Sequence, residues 1–256
     1  MRVKKISSEH NPIFRKFLRL KGARGIKKFE TALLSGEKYV REALEQFPEQ
    51  CLGLITFSLE LIEALPLGAD LPIYLLGTEL FRALDVHNTK KPILAIRARC
   101  PDPWVEDGKR RGCVLFLPFQ DPANVGTAIR SGAAFGVNTV VLLTEAAHPF
   151  HPKSLRASGT SIFRVSLKNG PSISELRTKD LPLLVLDPRG QDISRYVFPE
   201  SFGLLAGLEG PGIPHGLRGA KLLSIPIDCG VDSLNAALAV GIALYEWRIG
   251  QSRAGD

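Results

Sequence analysis

From residue 113 onward, short apolar stretches alternate regularly with stretches of helical spacing, and this alternation limits the possible folds more than any other feature of the sequence. It predicts strands at 113–118, 139–143, 163–167 and 183–186, and a further apolar strand that ends at Ala206. Successive strand–helix units build an α/β domain with a mostly parallel sheet and helices on both faces. Such sheets bind ligands at the carboxyl ends of their strands.

The first part of the chain alternates between strand-like and helix-like segments on a smaller scale. Strands are predicted at 52–57, 73–76 and 93–97, and helices at 39–47, 59–64 and 78–84. This pattern indicates a small N-terminal α/β sandwich domain at 1–98. Pro101, Pro103 and Gly108 favour a linker at 99–111, which leaves 112–256 as the second domain.

Positive charge is concentrated at the start of the chain. The formal net charge is +7, and Glu9 is the only acid among the first 28 residues. A surface that serves solubility mixes both signs, so this excess favours contact with the phosphates of a polyanion. Helical spacing over 12–20 turns Ile13, Phe17 and Leu20 inward. The residues predicted to contact phosphate here are Arg15, Lys16, Arg19, Lys21, Arg24 and Lys27.

Metal sites and membrane segments are not expected. The four cysteines form no Cys-x-x-Cys pair and are expected to be reduced thiols; they are Cys51, Cys100, Cys113 and Cys229. His148 and His151 stand in a loop without a nearby carboxylate or thiol, so no metal is expected there. Without an apolar run of membrane-spanning length or an apolar signal region, a soluble cytoplasmic protein is expected.

The helix predicted after strand 113–118 carries the first candidate site residues. Asp121 is expected to cap this helix, with Pro122 at its first position. Asn124 lies in the first turn, where an amide can hold a ligand or tie down the loop. Arg130 lies six residues further on, and its planar guanidinium can reach a phosphate. Taken alone, each is more simply explained as a capping residue or a surface ion pair.

Two bends rich in Gly and Pro follow the later strands. The first, 207–214, holds a single carboxylate, Glu209, which would repel a pyrophosphate, so a neutral or cationic ligand fits better. The second follows a short strand predicted at 225–227 and leads through Asp232 or Ser233, the expected N-cap, into a helix at about 233–249. That helix is apolar nearly all round, which requires burial inside the domain or against a second subunit.

Together these stretches resemble the three motifs of the SpoU/TrmH branch of the SPOUT RNA methyltransferases. The motifs are Asn-x-Gly-x-x-x-Arg at 124–130, Gly-Leu-Glu-Gly-Pro-Gly-Ile-Pro at 207–214, and Ile-Pro-Ile at 225–227 followed by Ser-Leu-Asn at 233–235. Residues 151–159 also resemble the family's segment after its second strand. The N-terminal part is similar to the ribosomal-protein-like RNA-binding domain of many members, although Ser35 stands where such domains often have Glu.

The resemblance implies a deep trefoil knot in the C-terminal domain, S-adenosylmethionine as cofactor, and a homodimer. The implied reaction is methylation of an RNA ribose 2′-hydroxyl, with ribosomal RNA favoured over transfer RNA. The implied catalytic residues are Arg130, Asn124, Glu209, Ser233 and Asn235. The implied cofactor-binding residues are Leu205, Ala206, Gly207, Gly210, Ile225, Ile227, Ser233 and Leu234, and Arg156 joins the RNA contacts. Because a guanidinium is a poor base, Arg130 is expected to orient the hydroxyl and the adjoining phosphate.

Two alternatives stay open at this point. A SPOUT enzyme of another branch would methylate a base atom, and an inactive relative would only bind RNA through its N-terminal domain. The Ser-Leu-Asn sequence at 233–235 favours the ribose over the base. An active enzyme is favoured by the presence of five polar motif residues, namely Asn124, Arg130, Glu209, Ser233 and Asn235.

Overall fold

The computed structural model describes residues 2–106, 111–206, 217, 219–228 and 230–253, which divide into two compact units. The first unit comprises the described parts of Met1–Cys100 together with His148–Phe163. The second comprises those of Pro101–Ala147 and Arg164–Asp256. In the described ranges, no helix combines the length and the apolar character that a membrane crossing requires.

The strands and helices are numbered along the chain. The strands are β1 (Arg2–Ile6), β2 (Thr31–Ser35), β3 (Cys51–Thr56), β4 (Pro72–Leu76), β5 (Ile93–Arg97), β6 (Asp102–Pro103), β7 (Gly112–Leu117), β8 (Thr139–Leu142), β9 (Ser166–Asn169), β10 (Leu183–Asp192), β11 (Ser201–Ala206) and β12 (Lys221–Ser224). The α-helices are α1 (Pro12–Arg19), α2 (Ala23–Phe29), α3 (Glu37–Gln46), α4 (Thr78–Leu84), α5 (Pro122–Ala134), α6 (Pro152–Ser158) and α7 (Ala236–Arg253).

The first unit is built on a five-stranded mixed sheet in the order β1-β4-β3-β5-β2. β1 and β3 run parallel to β4, whereas β5 is antiparallel to β2 and β3. Phe14 and Phe17 of α1 are buried in one core cluster with Phe81 of α4 and with Ile55 of β3. The apolar face of α1 therefore packs inward while Arg15 and Arg19 stay exposed.

The segment His148–Phe163 clusters with the first unit, although β8 and β9 on either side of it belong to the second. Helix α6 packs on β2, and the ring of Phe163 lies 5.2 Å from that of Phe47 between centroids. The sequence predicted two domains of continuous chain, 1–98 and 112–256. His148–Phe163 falls in the second of these ranges but clusters with the first unit.

The second unit is built on a seven-stranded sheet in the order β12-β10-β11-β7-β8-β9-β6. All of its strand pairs are parallel, which confirms the predicted α/β fold with a parallel sheet. Helices α5 and α7 pack on each other, and α7 also contacts β11. A core cluster joins Val114, Phe116 and Leu205 of the strands to Ile173 and Leu176 of a non-helical stretch. The sequence assigned α6 to this domain; in the structure it packs in the first unit instead.

Several elements differ from their predicted bounds. Helix α4 and strand β5 match, whereas β1 and β2 were not predicted. The strand predicted at 163–167 begins later, at β9, because Gly159–Arg164 forms a 3-10 helix. No strand forms at 225–227, where one was predicted. The observed strand, β12, stops at Ser224, because Pro226 has no N–H to donate to a ladder.

Helix α7 starts at Ala236, three residues later than predicted. Its buried side chains include Val240, Leu244 and Trp247. Leu238 and Tyr245, seven residues apart and therefore on one face, are 52% and 50% exposed. The helix was predicted to be buried on several faces. Within this chain it buries the face of Val240, Leu244 and Trp247 but not the face of Leu238 and Tyr245.

Candidate functional site

The candidate site lies at the carboxyl edge of the parallel sheet, where β7, β11, β10 and β12 end. Strand β7 leads into α5, which begins as predicted: the Asp121 carboxylate accepts a hydrogen bond from Ala123 N at 2.9 Å, and Pro122 occupies the first helical position. The parallel register pairs Leu205 with Phe116 and Leu186 with Ala206, so these strands reach the edge at a common level. The sheet therefore gathers the residues that follow these strands.

A hydrogen bond between two asparagines joins the first and third motifs. Asn235 Nδ2 donates to Asn124 Oδ1 at 3.0 Å, across 111 positions of the chain. The other amide atom, Asn235 Oδ1, accepts from Ala237 N at 3.0 Å and from Leu238 N at 3.1 Å. Asn235 is therefore the N-cap of α7, and the prediction of Asp232 or Ser233 as the cap is wrong. One side chain fixes both the start of α7 and its position against α5.

Arg130 lies on the exposed surface of α5, six residues after Asn124. At 1.5 Å of rise per residue the two positions are about 9 Å apart along the helix axis. They also differ in direction, because six residues correspond to about 240° of rotation at 3.6 residues per turn. The Cα–Cβ bonds of Asn124 and Arg130 therefore leave α5 on different sides of the helix.

The predicted cofactor residues divide into buried and exposed groups. Leu205 and Ala206, the last residues of β11, are buried, and Leu205 belongs to the core cluster. Ile225 is half-buried and Ile227 is 38% exposed beyond the end of β12. Ser233 is exposed and Leu234 half-buried in the turn before Asn235. The remaining predicted site residues, Gly207, Glu209 and Gly210, lie outside the described residues, as does Cys229.

A bulge of β10 that was not predicted from the sequence lies at the same edge. Residues 187–190 form a bulge within β10, called the loop 187–190 below, because Leu186 before it and Gln191 after it both pair with Leu223 of β12. Asp187 is 7% exposed and holds the guanidinium of Arg189 by two hydrogen bonds, of 2.9 and 2.8 Å. These bonds keep the pKa of Asp187 below its usual range. The sequence carried a signal, because Asp-Pro-Arg-Gly directly after an apolar strand is turn-forming.

The predicted RNA-contact residues belong to the first unit. Those that lie exposed on α1, on α2 or near their ends are Arg15, Arg19, Lys21, Arg24 and Lys27, and Lys16 is half-buried. The ammonium of Lys16 lies 5.4 Å from the centre of the Phe29 ring, and Lys21 Nζ donates to Ala83 O at 3.0 Å. Arg156 is exposed on α6, where its guanidinium approaches Gly36 at the start of α3.

The two histidines of segment His148–Phe163 act as backbone caps. His148 Nδ1 accepts from Phe150 N at 3.2 Å, and His151 Nδ1 accepts from Lys153 N at 3.3 Å, which caps α6. Burial lowers the pKa of His148 to about 4, with further contributions from Lys27 and His151. Within the described part of the chain, no three His, Cys, Asp or Glu side chains are grouped as metal ligands would be.

Comparison with known proteins relates this arrangement to RNA methyltransferases. The model of the SpoU rRNA Methylase family matches residues 113–245. Ribosomal RNA small subunit methyltransferase G 2 of Syntrophobacter fumaroxidans is 47% identical over 99% of this chain, which spans 50% of that protein. The name of that relative therefore describes a protein about twice as long as this one.

Two further proteins match over nearly their whole lengths. The 23S rRNA (guanosine(2553)-2′-O)-methyltransferase RlmP of Bacillus subtilis is 29% identical over 96% of this chain and 100% of its own. The crystal structure of an AdoMet-bound rRNA methyltransferase from Sinorhizobium meliloti superposes with a TM-score of 0.78 over 96% of this chain and 98% of its own. The sequence identity to that structure is 23%, so it supports the fold alone.

Proposed function

Because the chain belongs to the SpoU rRNA methylase family, we propose that it transfers a methyl group from S-adenosylmethionine to a ribose 2′-hydroxyl of RNA, with ribosomal RNA as the favoured substrate. The observation that carries this proposal is the 3.0 Å bond between Asn124 and Asn235, which joins two motifs at the ligand-binding edge of a parallel sheet. The Bacillus subtilis relative, named for this reaction, supports the choice of the ribose. Such a substrate would place the protein in the cytoplasm.

The residues at this edge fit S-adenosylmethionine, which supplies a methyl group activated by a positively charged sulfur when it is bound. The side chains of Leu205 and Ala206 are buried, so any contact with the cofactor would come from their main chain where β11 ends. Ile225 and Ile227 lie beyond the last pairing of β12, and their partly exposed apolar side chains suit an adenine ring. The residues proposed to hold the cofactor are Leu205, Ala206, Gly207, Gly210, Ile225, Ile227, Ser233 and Leu234.

The RNA nucleotide would be held by polar side chains around the Asn124–Asn235 pair. Asn124, Asn235, Ser233 and Glu209 would bind the nucleotide, and Arg130 would orient the ribose hydroxyl and the adjoining phosphate. A guanidinium stays protonated near neutral pH, so the hydroxyl proton would leave through that phosphate or a water molecule. Positioning of this kind can supply much of a rate enhancement.

The first unit would bind the surrounding RNA through the basic surface of α1 and α2. The proposed contacts are Arg15, Lys16, Arg19, Lys21, Arg24 and Lys27, with Arg156 on α6. The cation–π contact to Phe29 holds Lys16 in place, so little side-chain entropy is lost when it meets a phosphate.

A trefoil knot is proposed for the second unit. The sheet order β12-β10-β11 requires the connection from β11 to β12 to pass β10. Most of that connection, 207–216 and 218, lies outside the described residues. The similarity in fold to solved methyltransferase structures supports the proposal.

A homodimer is proposed through the exposed face of α7. Leu238 and Tyr245 are half exposed on a helix whose other side packs on α5. A second copy of the chain would bury both side chains. An interface here would also lie close to Asn235 at the start of the same helix.

Methyl transfer by the purified protein tests the proposed function. Unmodified transcripts of 16S and 23S ribosomal RNA would be incubated with a tritiated methyl donor and digested with a nuclease that a 2′-O-methyl group blocks. Label in nuclease-resistant dinucleotides is expected, whereas label in mononucleotides would indicate a base methyltransferase. No incorporation into either RNA, with no binding of S-adenosylmethionine by calorimetry, would contradict the proposal.

Replacement of Arg130 tests its role within that reaction. Arg130→Ala is expected to abolish incorporation, because the hydroxyl is no longer oriented, while calorimetry shows unchanged binding of S-adenosylmethionine. Arg111→Ala is the matched control, since Arg111 is exposed at the amino edge of the same sheet, where it pairs with Glu200. Full activity of Arg130→Ala would rule out the role.

A further inference from the structure

The loop 187–190 is held rigidly between the ends of two motif-bearing strands. Leu186 and Gln191, the residues on either side of it, both pair with Leu223, and Ser224 Oγ donates to Gly190 O at 3.0 Å. A Cβ atom on Gly190 would lie 2.5 Å from Leu223 N, so only glycine allows this approach to β12. The loop thus stands between Ala206 at the end of β11 and Ser224 at the end of β12.

The side chains of this loop form an ion pair with one buried and one exposed partner. The Asp187 side chain is 6% exposed, whereas that of Arg189 is 71% exposed. Asp187 Oδ1 accepts from both the backbone N and Nε of Arg189 at 2.9 Å, and Oδ2 accepts from Nη2 at 2.8 Å. The carboxylate therefore holds the guanidinium in one orientation at the protein surface.

This arrangement leaves part of the guanidinium available to a ligand. Arg has five N–H donors, and the contacts to Asp187 use the side that carries Nε and Nη2. The remaining donors form a planar group suited to a phosphate. Pre-orientation by Asp187 lowers the entropy lost on binding, and the large exposure suits a polyanion arriving from solution better than an enclosed small molecule.

On the premise of the proposed function, we propose that Arg189 binds a backbone phosphate of the substrate RNA and that Asp187 positions it to do so. Strands β10 and β7 are separated by β11 alone, so the loop lies about 10 Å from the strand that leads to Asn124. A single extended nucleotide chain can bridge that distance. Arg189 thereby fixes the RNA beside the nucleotide that meets the cofactor.

The salt dependence of RNA binding tests this proposal. Filter binding of unmodified 16S and 23S ribosomal RNA transcripts would be measured over a series of salt concentrations. Arg189→Ala is expected to weaken binding and to reduce the slope of log K against log salt by about 0.7 to 1, the value of one phosphate contact. Binding of S-adenosylmethionine by calorimetry should not change. Arg111→Ala, which removes an exposed ion pair at the opposite edge, should leave the slope as in the wild type.

The role of Asp187 is tested by Asp187→Asn. This variant keeps the charge of the Arg189 guanidinium but weakens the hydrogen bonds that orient it. The salt slope should be retained while kcat/KM for RNA falls, with an unchanged thermal midpoint showing that the fold is intact. An Arg189→Ala protein with the wild-type slope would overturn the proposal, as would weaker cofactor binding with unchanged RNA binding. A wild-type protein that neither binds nor methylates RNA would instead contradict the proposed function.

Discussion

At the scale of single residues, Asn235 combines two roles in one side chain. Its carbonyl oxygen caps α7 and its amide nitrogen holds Asn124. An N-cap oxygen is common at helix starts, but the second bond also requires a donor, which the amide of Asn235 supplies and an ionised carboxylate would lack. The bond makes the start of α7 depend on the first turn of α5.

Substitutions at Asn235 are expected to separate these roles. Asn235→Asp keeps an oxygen that caps well, so the free energy of unfolding in urea should stay close to that of the wild type. Loss of the donor to Asn124 should lower methyl transfer by about tenfold, the equivalent of one hydrogen bond. Asn235→Ala should in addition cost about 1 kcal/mol of stability.

Asn138→Ala, at an exposed asparagine outside the site, is the control and should change neither quantity. An Asn235→Asp protein with wild-type activity would show that the amide pair is dispensable for the reaction.

At the scale of elements, the contact between β10 and β12 depends on close backbone approach. Gly190 packs against the main chain of Leu222 and Leu223, and Ser224 donates to its carbonyl oxygen. Main-chain atoms cannot change rotamer to make room, so any side chain at this position must displace one of the strands. The edge strand β12 and the segment that begins at Ile225 are therefore held by a glycine of the neighbouring strand.

Gly190→Ala is expected to reduce the free energy of unfolding by about 1–3 kcal/mol, the usual cost of overpacking. Gly250→Ala is the matched control in the same unit. Among the described atoms none lies within 4 Å of a Cβ at Gly250, and alanine there should leave α7 unchanged or stabilise it by up to about 1 kcal/mol. Urea unfolding monitored by circular dichroism measures the free energy of unfolding of both variants. Equal stability of the two variants would show that β12 adjusts without cost.

At the scale of the whole molecule, α7 leaves apolar surface exposed along one face. Leu238 and Tyr245 contribute to it, and the ring of Tyr245 lies 6.2 Å from that of Phe135 between centroids. A helix that is apolar nearly all round would be expected to bury this face against a partner. The proposed partner is a second copy of the chain.

Light scattering after gel filtration should therefore give twice the mass of the chain for the wild type. The double variant Leu238→Glu with Tyr245→Glu is expected to give the mass of one chain, because two charges would have to be buried in the interface. Val197→Glu is the control, since Val197 is 89% exposed outside α7, and should keep the larger mass. A wild-type protein with the mass of one chain would contradict the proposed dimer.

The sequence by itself determined those features that depend on neighbours along the chain. The alternation of strands and helices, the Asp121 cap and the bounds of α4 and β5 follow from local periodicity and capping chemistry. Motif order was enough to indicate the family. Strand β1 was missed, since its Lys-rich exposed face hides the apolar alternation, and the β12 strand was placed too late.

Only the tertiary structure decided which distant residues meet. The bond from Asn235 to Asn124, the placement of His148–Phe163 in the first unit and the position of Arg189 beside β12 all join parts of the chain that periodicity treats as independent. Sheet order and register create these contacts. They arise from the burial of side chains on both faces of a sheet, a condition that no local stretch of sequence contains.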